Sequence, residues 1–334
     1  MVRPSGSIGM GSFAGITTAI GMLAGFRLNA SYGRYEECRI NRSIIAQQEQ
    51  HDDIVIRSKH PKWKLWEEMN DEQQKQAIEE VGPYLTKLKL TRMKRSYHRH
   101  PCNMTKFGSG GEHAVCGPRP PQPCFFLSAG IRDDPTFDID LASTWGCRGV
   151  AVDPSIDHPS HLHPLVTFHN IALNVIGGSK NEMLDAVRNE ISDWLYASVP
   201  SLMKTLGQDY VDVVKLDCEG CEIAFTRDIL IEDPQFLHRV GQISLETHTS
   251  RIWIDTLEKL YYFALNFVLL EEAGFKLVWA DVFGCGKPHE KPGCMDEIYK
   301  FKYPCGPRLK DKHNPYLGLS CQDYLFIRED RRGT

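Results

Sequence analysis

The stretch "VDVVKLDCEGCEIAF", Val211 to Phe225, decides the fold. Its first six residues are apolar apart from Asp212 and Lys215, the pattern of a strand buried on both faces. Asp217, Cys218, Glu219, Gly220, Cys221 and Glu222 follow at once. Carboxylates and thiols at the end of a buried run belong at the carboxyl edge of a parallel sheet. Open α/β sheets bind ligands there, where the strand order reverses. Six further runs supply the rest of such a sheet: "CFFLSAG" (124–130), "RGVAVD" (148–153), "LVTFHNIAL" (165–173), "VGQISLETH" (240–248), "FKLVWADVF" (275–283) and "DYLFIRE" (323–329). Helical segments lie between them. "DDPTFDIDLASTW" offers Asp134 as N-cap and Pro135 at the first helical position. A second helical stretch covers Asn181 to Leu206, interrupted by Pro200, and a third covers 253–274 with a glycine stop. These runs predict an α/β fold: a Rossmann-like, seven-stranded, mostly parallel sheet covered on both faces.

Outside that sheet the chain changes character. Residues 4–26, "PSGSIGMGSFAGITTAIGMLAGF", carry no charge and sit between Arg3 and Arg27. They are long enough to cross a bilayer, so residues 1–27 read as a signal-anchor or transmembrane segment. Residues 28–100 are polar and read as a partly helical stem. There "LWEEMNDEQQKQAIEEV" (65–81) forms a helix that Gly82-Pro83 ends. The main domain is expected over 101–334. The sequons at Asn29, Asn41 and Asn103 favour a lumenal or extracellular body. So do eleven cysteines without zinc-ribbon spacing, with Cys285, Cys294, Cys305 and Cys321 in one Gly/Pro-rich stretch and Cys102, Cys116 and Cys124 in another. A net charge of −4 argues against a nucleic-acid partner, and the basic run from Lys87 to His100 reads as a solvated segment.

The strand ends carry the chemistry. Gly130 ends the first strand and lets a ligand approach the backbone, and Asp153 ends the second, where a carboxylate can hold ribose hydroxyls. The pyrophosphate fingerprint G-x-G-x-x-G is missing, which disfavours a nicotinamide oxidoreductase. A nucleoside ligand without a pyrophosphate, S-adenosylmethionine, suits this pair. The runs "FGSGGEHAVCG", "CFFLSAGIRDDPTFDIDLA", "GCRGVAVDPS", "VDVVKLDCEGCEIAF" and "ISLETH" resemble the methyltransferase-like protein 24 group, related to the FkbM-type methyltransferases. The resemblance spans roughly Lys106 to Glu329. Its most specific element is Lys215, Asp217, Glu219, Gly220 and Glu222, and it departs at Ser109, where the group commonly has aspartate. The resemblance implies a class I methyltransferase fold and S-adenosylmethionine as cofactor, with Gly130 and Asp153 at cofactor-binding positions. The methyl acceptor does not carry over; a small molecule, a glycan or a protein all fit.

Strand alternation puts Asp217 and Glu219 on one side, with Glu246 and His248 along the same edge. Asp217 and Glu219 are assigned to acceptor positioning and proton removal, with His248 as a secondary candidate. No metal site is assigned, although the clustered carboxylates could hold a divalent cation or cap the next helix instead. Cys218 and Cys221 read as packing residues, and His158, His161 and His163 as surface histidines. The expected function is a membrane-anchored methyltransferase. The rival is a catalytically silent binding or scaffold protein that kept the fold.

Overall fold

The computed structural model describes residues 57–92, 97–98, 102–111, 113–174, 176, 194–218, 220–248, 254, 256–283 and 321–331. The expected span at 4–26, the sequons at Asn29 and Asn41, Glu219, and Cys285, Cys294 and Cys305 lie outside the described residues. Among the described residues no helix is long and apolar enough to cross a membrane.

The central sheet is mixed and Rossmann-like. Its parallel body consists of β4 (Phe125–Ala129), β5 (Arg148–Val152), β7 (Val166–His169), β10 (Val211–Leu216) and β11 (Val240–His248). Two further strands, β12 (Phe275–Phe283) and β13 (Cys321–Arg328), extend it. β13 lies antiparallel between β11 and β12, so β12 runs with the parallel set. The short β1 (Tyr97–His98) and β6 (His161–His163) add antiparallel edges, giving nine strands in the order β1-β12-β13-β11-β10-β4-β5-β7-β6. The seven expected strands are all present. The two extra ones are too short to show a period in the sequence. Strand order reverses at β4, which pairs with β5 on one side and β10 on the other.

Alternation sorts the two faces. Leu127, Ala129, Val214, Leu216, Ile243, Leu245, Tyr324 and Phe326 belong to the larger core. Over it lie α4 (Cys221–Glu232) and α5 (Leu257–Glu272), which contribute Ile223, Phe225, Leu260 and Leu265. On the opposite face Phe126 and Val213 meet Phe137 and Leu141 of α2 (Thr136–Trp145). A hairpin of β2 (Met104–Phe107) and β3 (His113–Cys116) covers the remainder of that face, Ala114 and Cys116 packing with Trp279, Leu325 and Ile327. The buried Gln242 side chain fastens it: Oε1 accepts from Cys116 N at 2.7 Å, and Nε2 donates to Cys116 O at 2.9 Å. Disulfides Cys102–Cys116 and Cys124–Cys147 staple the hairpin and the starts of β4 and β5.

Residues 57–92, which fall in the expected stem, feed the main core through Trp63, Leu65, Ala77 and Val81. Trp66 N donates to Tyr262 Oη at 2.9 Å, Tyr261 Oη donates to Lys64 O at 2.9 Å, and Trp63 Nε1 donates to Glu272 at 3.0 Å. Two boundary expectations are corrected. Helix α1 (Asp71–Arg92) runs through Pro83 instead of ending there. Proline costs it one backbone bond, which the packing of Ala77 and Val81 upstream offsets. Pro200 does not interrupt a helix: it sits in the first turn of α3 (Val199–Thr205), where a missing N–H costs nothing. Ser198 caps that helix, its Oγ accepting from Ser201 N at 2.9 Å. Before it, β8 (Ala172–Leu173) and β9 (Tyr196–Ala197) pair on their own.

Candidate active site

Three strand ends converge at the reversal. The Asp217 backbone N–H, just past β10, donates to Ala129 O at 3.1 Å, while Gly130 N donates to Val152 O at 3.0 Å. This contact explains the glycine. Gly130 has φ +76°, and a Cβ there would stand 1.6 Å from the Asp217 carbonyl oxygen. No other residue fits, because the neighbouring strand's backbone fills the place of the side chain. The buried Lys215 ammonium donates to Gly130 O at 2.7 Å and lies 3.5 Å from Asp217 Oδ2.

Asp153 is buried at the end of β5. Its Oδ2 accepts from Arg132 N at 2.8 Å, and its Oδ1 accepts from Ser155 N at 2.8 Å and Ser155 Oγ at 2.6 Å. Arg132 adopts φ 50°, a left-handed conformation that non-glycine residues seldom take. The carboxylate therefore holds the loop after β4 as well as its own turn. His158 Nε2 lies 2.7 Å from Arg132 O and steadies the same loop. At the tip of the β2–β3 hairpin, Ser109 N donates to Thr136 Oγ1 at 2.8 Å and Ser109 Oγ bonds Asp134, so the tip rests on the start of α2. Asp134 also accepts from Thr136 N at 3.0 Å, capping α2 one residue earlier than Pro135, its formal N-cap.

The acidic edge forms around Asp217. His113 Nε2 of β3 comes within 3.4 Å of Asp217 Oδ2. Burial would push the Asp217 pKa up, but Lys215 and then His113 outweigh it and hold the carboxyl well below its usual range. Burial, and after it Lys215, lowers the His113 pKa. Next along the edge, burial and then the Asp217 charge push Glu246 up to about 9. His248 ends β11, its Nε2 3.5 Å from Glu246 Oε1. Glu222, in the first turn of α4, anchors it: Oε1 accepts from His248 N at 2.9 Å and lies 3.2 Å from Nδ1, while Oε2 accepts from Gly220 N at 2.8 Å. Burial opposes a charged imidazole there, yet Glu222, followed by Glu246, raises His248 to about 9.

Of the expected residues, Asp217 and His248 fall on this edge with Glu246, while Gly130 and Asp153 end the two preceding strands; Glu219 lies outside the described residues. Sequence reasoning missed His113 and gave no role to Lys215 or Glu222. A period of two from Asp217 already marks Lys215, and the first-turn position marks Glu222. No local signal marks His113, whose approach depends on where the hairpin docks. Cys218 and Cys221 do pack, Cys221 within the larger core and Cys218 against it, and beyond that expectation they form a disulfide across the turn into α4. Gly220 takes φ +109° there, and the two Cα atoms stand 5.5 Å apart, within disulfide reach.

No family model matches the chain, and no curated protein does. Among solved structures, a SAM dependent methyltransferase from Archaeoglobus fulgidus is similar at 12% identity over 62% of this chain and 87% of that one. Its TM-score is 0.27.

Proposed function

We propose that this protein is a methyltransferase that uses S-adenosylmethionine, acting on an acceptor not yet identified. The observation that carries the reading is the sheet order. With its edge strands set aside, it is the class I methyltransferase arrangement, the reversed β13 inserted between β11 and β12 and the switch point at β4. Gly130, Asp153 and Asp217 all follow strands at that switch. The residues fit a nucleoside in part. Asp153 Oδ2 accepts one bond and keeps a lone pair for a ribose hydroxyl, whereas Oδ1 is filled by Ser155.

Bound there, S-adenosylmethionine would supply a methyl group activated by its sulfonium. The chain's own part is alignment, since direct displacement chiefly requires acceptor and methyl in line. Asp217 stays ionised and can accept a hydrogen bond from an acceptor hydroxyl or ammonium. It is a weak base for the same reason. Glu246 keeps its proton near neutrality beside Asp217, and His248, protonated as well, pairs with Glu246. Disulfides Cys102–Cys116 and Cys124–Cys147 support a lumenal or extracellular location, with residues 1–27 as the membrane anchor.

A second reading, a binding or scaffold protein without turnover, has its own support: neighbouring backbone explains Gly130, and internal donors explain most of Asp153. Calorimetry of the full chain with S-adenosylmethionine and, separately, NAD decides between them. Binding of the first alone is expected. Binding of neither would favour the scaffold, and binding of NAD would overturn the cofactor assignment.

A further inference from the structure

We infer that His113, Asp217 and Glu246 form a binding site for one divalent cation of the manganese or zinc kind. The three side chains come from separate elements, β3, the turn after β10, and β11, and one donor atom from each lies within 4.8 Å of the others. Metal–ligand bonds of about 2.0–2.2 Å put donor atoms roughly 3–4.3 Å apart, so side-chain rotation suffices to close the set. One imidazole with two carboxylates is a mixed donor set. It suits manganese or zinc better than calcium or magnesium, which favour oxygen alone.

One observation beyond the carboxylates points to a cation. His113 is buried, packed T-shaped against Phe137, and turns Nε2 toward Asp217 at 3.4 Å, longer than an ordinary N–H···O bond. A metal ion between Nε2 and the carboxyl groups would take up that nitrogen's lone pair. Glu246 brings a second carboxyl oxygen to the same point from β11, with no lysine or arginine partner among the described residues. The Asp217 side chain is 24% exposed, so the site opens toward solvent on that side and leaves coordination positions for water or an acceptor oxygen.

The test needs no methyl donor, so its outcome is separate from that of the methyl-transfer reading. Manganese chloride is titrated into the full chain while the electron paramagnetic resonance signal of free Mn2+ is followed. One saturable site per chain is expected, weakened about tenfold or more in Glu246→Gln, an isosteric change, with melting curves confirming that the variant is folded. His113→Gln is expected to weaken it likewise. No saturable binding up to millimolar Mn2+, or unchanged affinity in folded Glu246→Gln, overturns the site. Unchanged affinity in folded His113→Gln removes the imidazole from it and overturns the mixed set.

Discussion

Asp228 of α4 is a carboxyl group kept neutral by its surroundings. Both its oxygens accept from Asn174 Nδ2 at 3.1 Å, yet burial pushes its pKa up to about 8 in spite of that bond. The folded chain thus holds a proton that the unfolded chain releases near its ordinary value of 3.8. A raised acid pKa makes stability fall with rising pH. The loss is up to about 1.4 kcal/mol per unit between roughly pH 4 and 8, and flat outside that window. Asp228→Asn removes the titration and keeps an acceptor for Asn174. Its urea midpoint should match the wild type near pH 4 and exceed it increasingly toward pH 8. A gap that does not widen with pH would show that Asp228 is ionised. Sequence gave no hint of this group, which looks like any acid on a helix. Gly130, Asp153 and Asp217 were legible for the opposite reason: each closes an apolar run, and the end of a run is visible without knowing what packs on it. His113 became a neighbour of Asp217 only through tertiary docking across roughly a hundred residues of chain.

The β2–β3 hairpin is such a docked element, and Gln242 is its main polar fastening. The amide imitates a strand neighbour, presenting an acceptor and a donor to the Cys116 backbone. Gln242→Leu would leave a buried N–H and C=O unpaired, and is expected to cost about 2–4 kcal/mol. Thermal melts of the oxidised protein, with Cys102–Cys116 intact, measure that loss. A cost below about 0.5 kcal/mol would mean that the disulfide and the Ala114 packing hold the hairpin unaided. The seven expected elements of the central sheet were readable because buried strands of four to nine residues have a distinct composition. The proline boundaries were not, since Pro83 and Pro200 obey opposite rules depending on where in a helix they fall.

Taken as a body, the molecule is a sheet with unequal coverings. The larger core takes Trp63, Leu65, Ala77 and Val81 from the segment before the first strand. A chain started at residue 101 would lose these, together with the bonds from Trp66 to Tyr262 and from Trp63 to Glu272. Deleting several large buried side chains at about 2–5 kcal/mol each exceeds the stability of an ordinary domain. Residues 57–334 are therefore expected to give a cooperative melt, and residues 101–334 none. A cooperative transition in the shorter chain would show that the segment is dispensable. The placement of β13 matters most while the chain is being made. Its residues, 321–328, are the last of the sheet to be synthesised, yet they occupy an inner position, hydrogen-bonded to β11 on one side and β12 on the other. Until the ribosome has passed Arg328, β12 has no partner joining it to the parallel body, and β11 presents an open edge. A nascent chain of this protein must carry that open edge through about the last quarter of its translation, at the mercy of chaperones, and closes its sheet in a single late insertion.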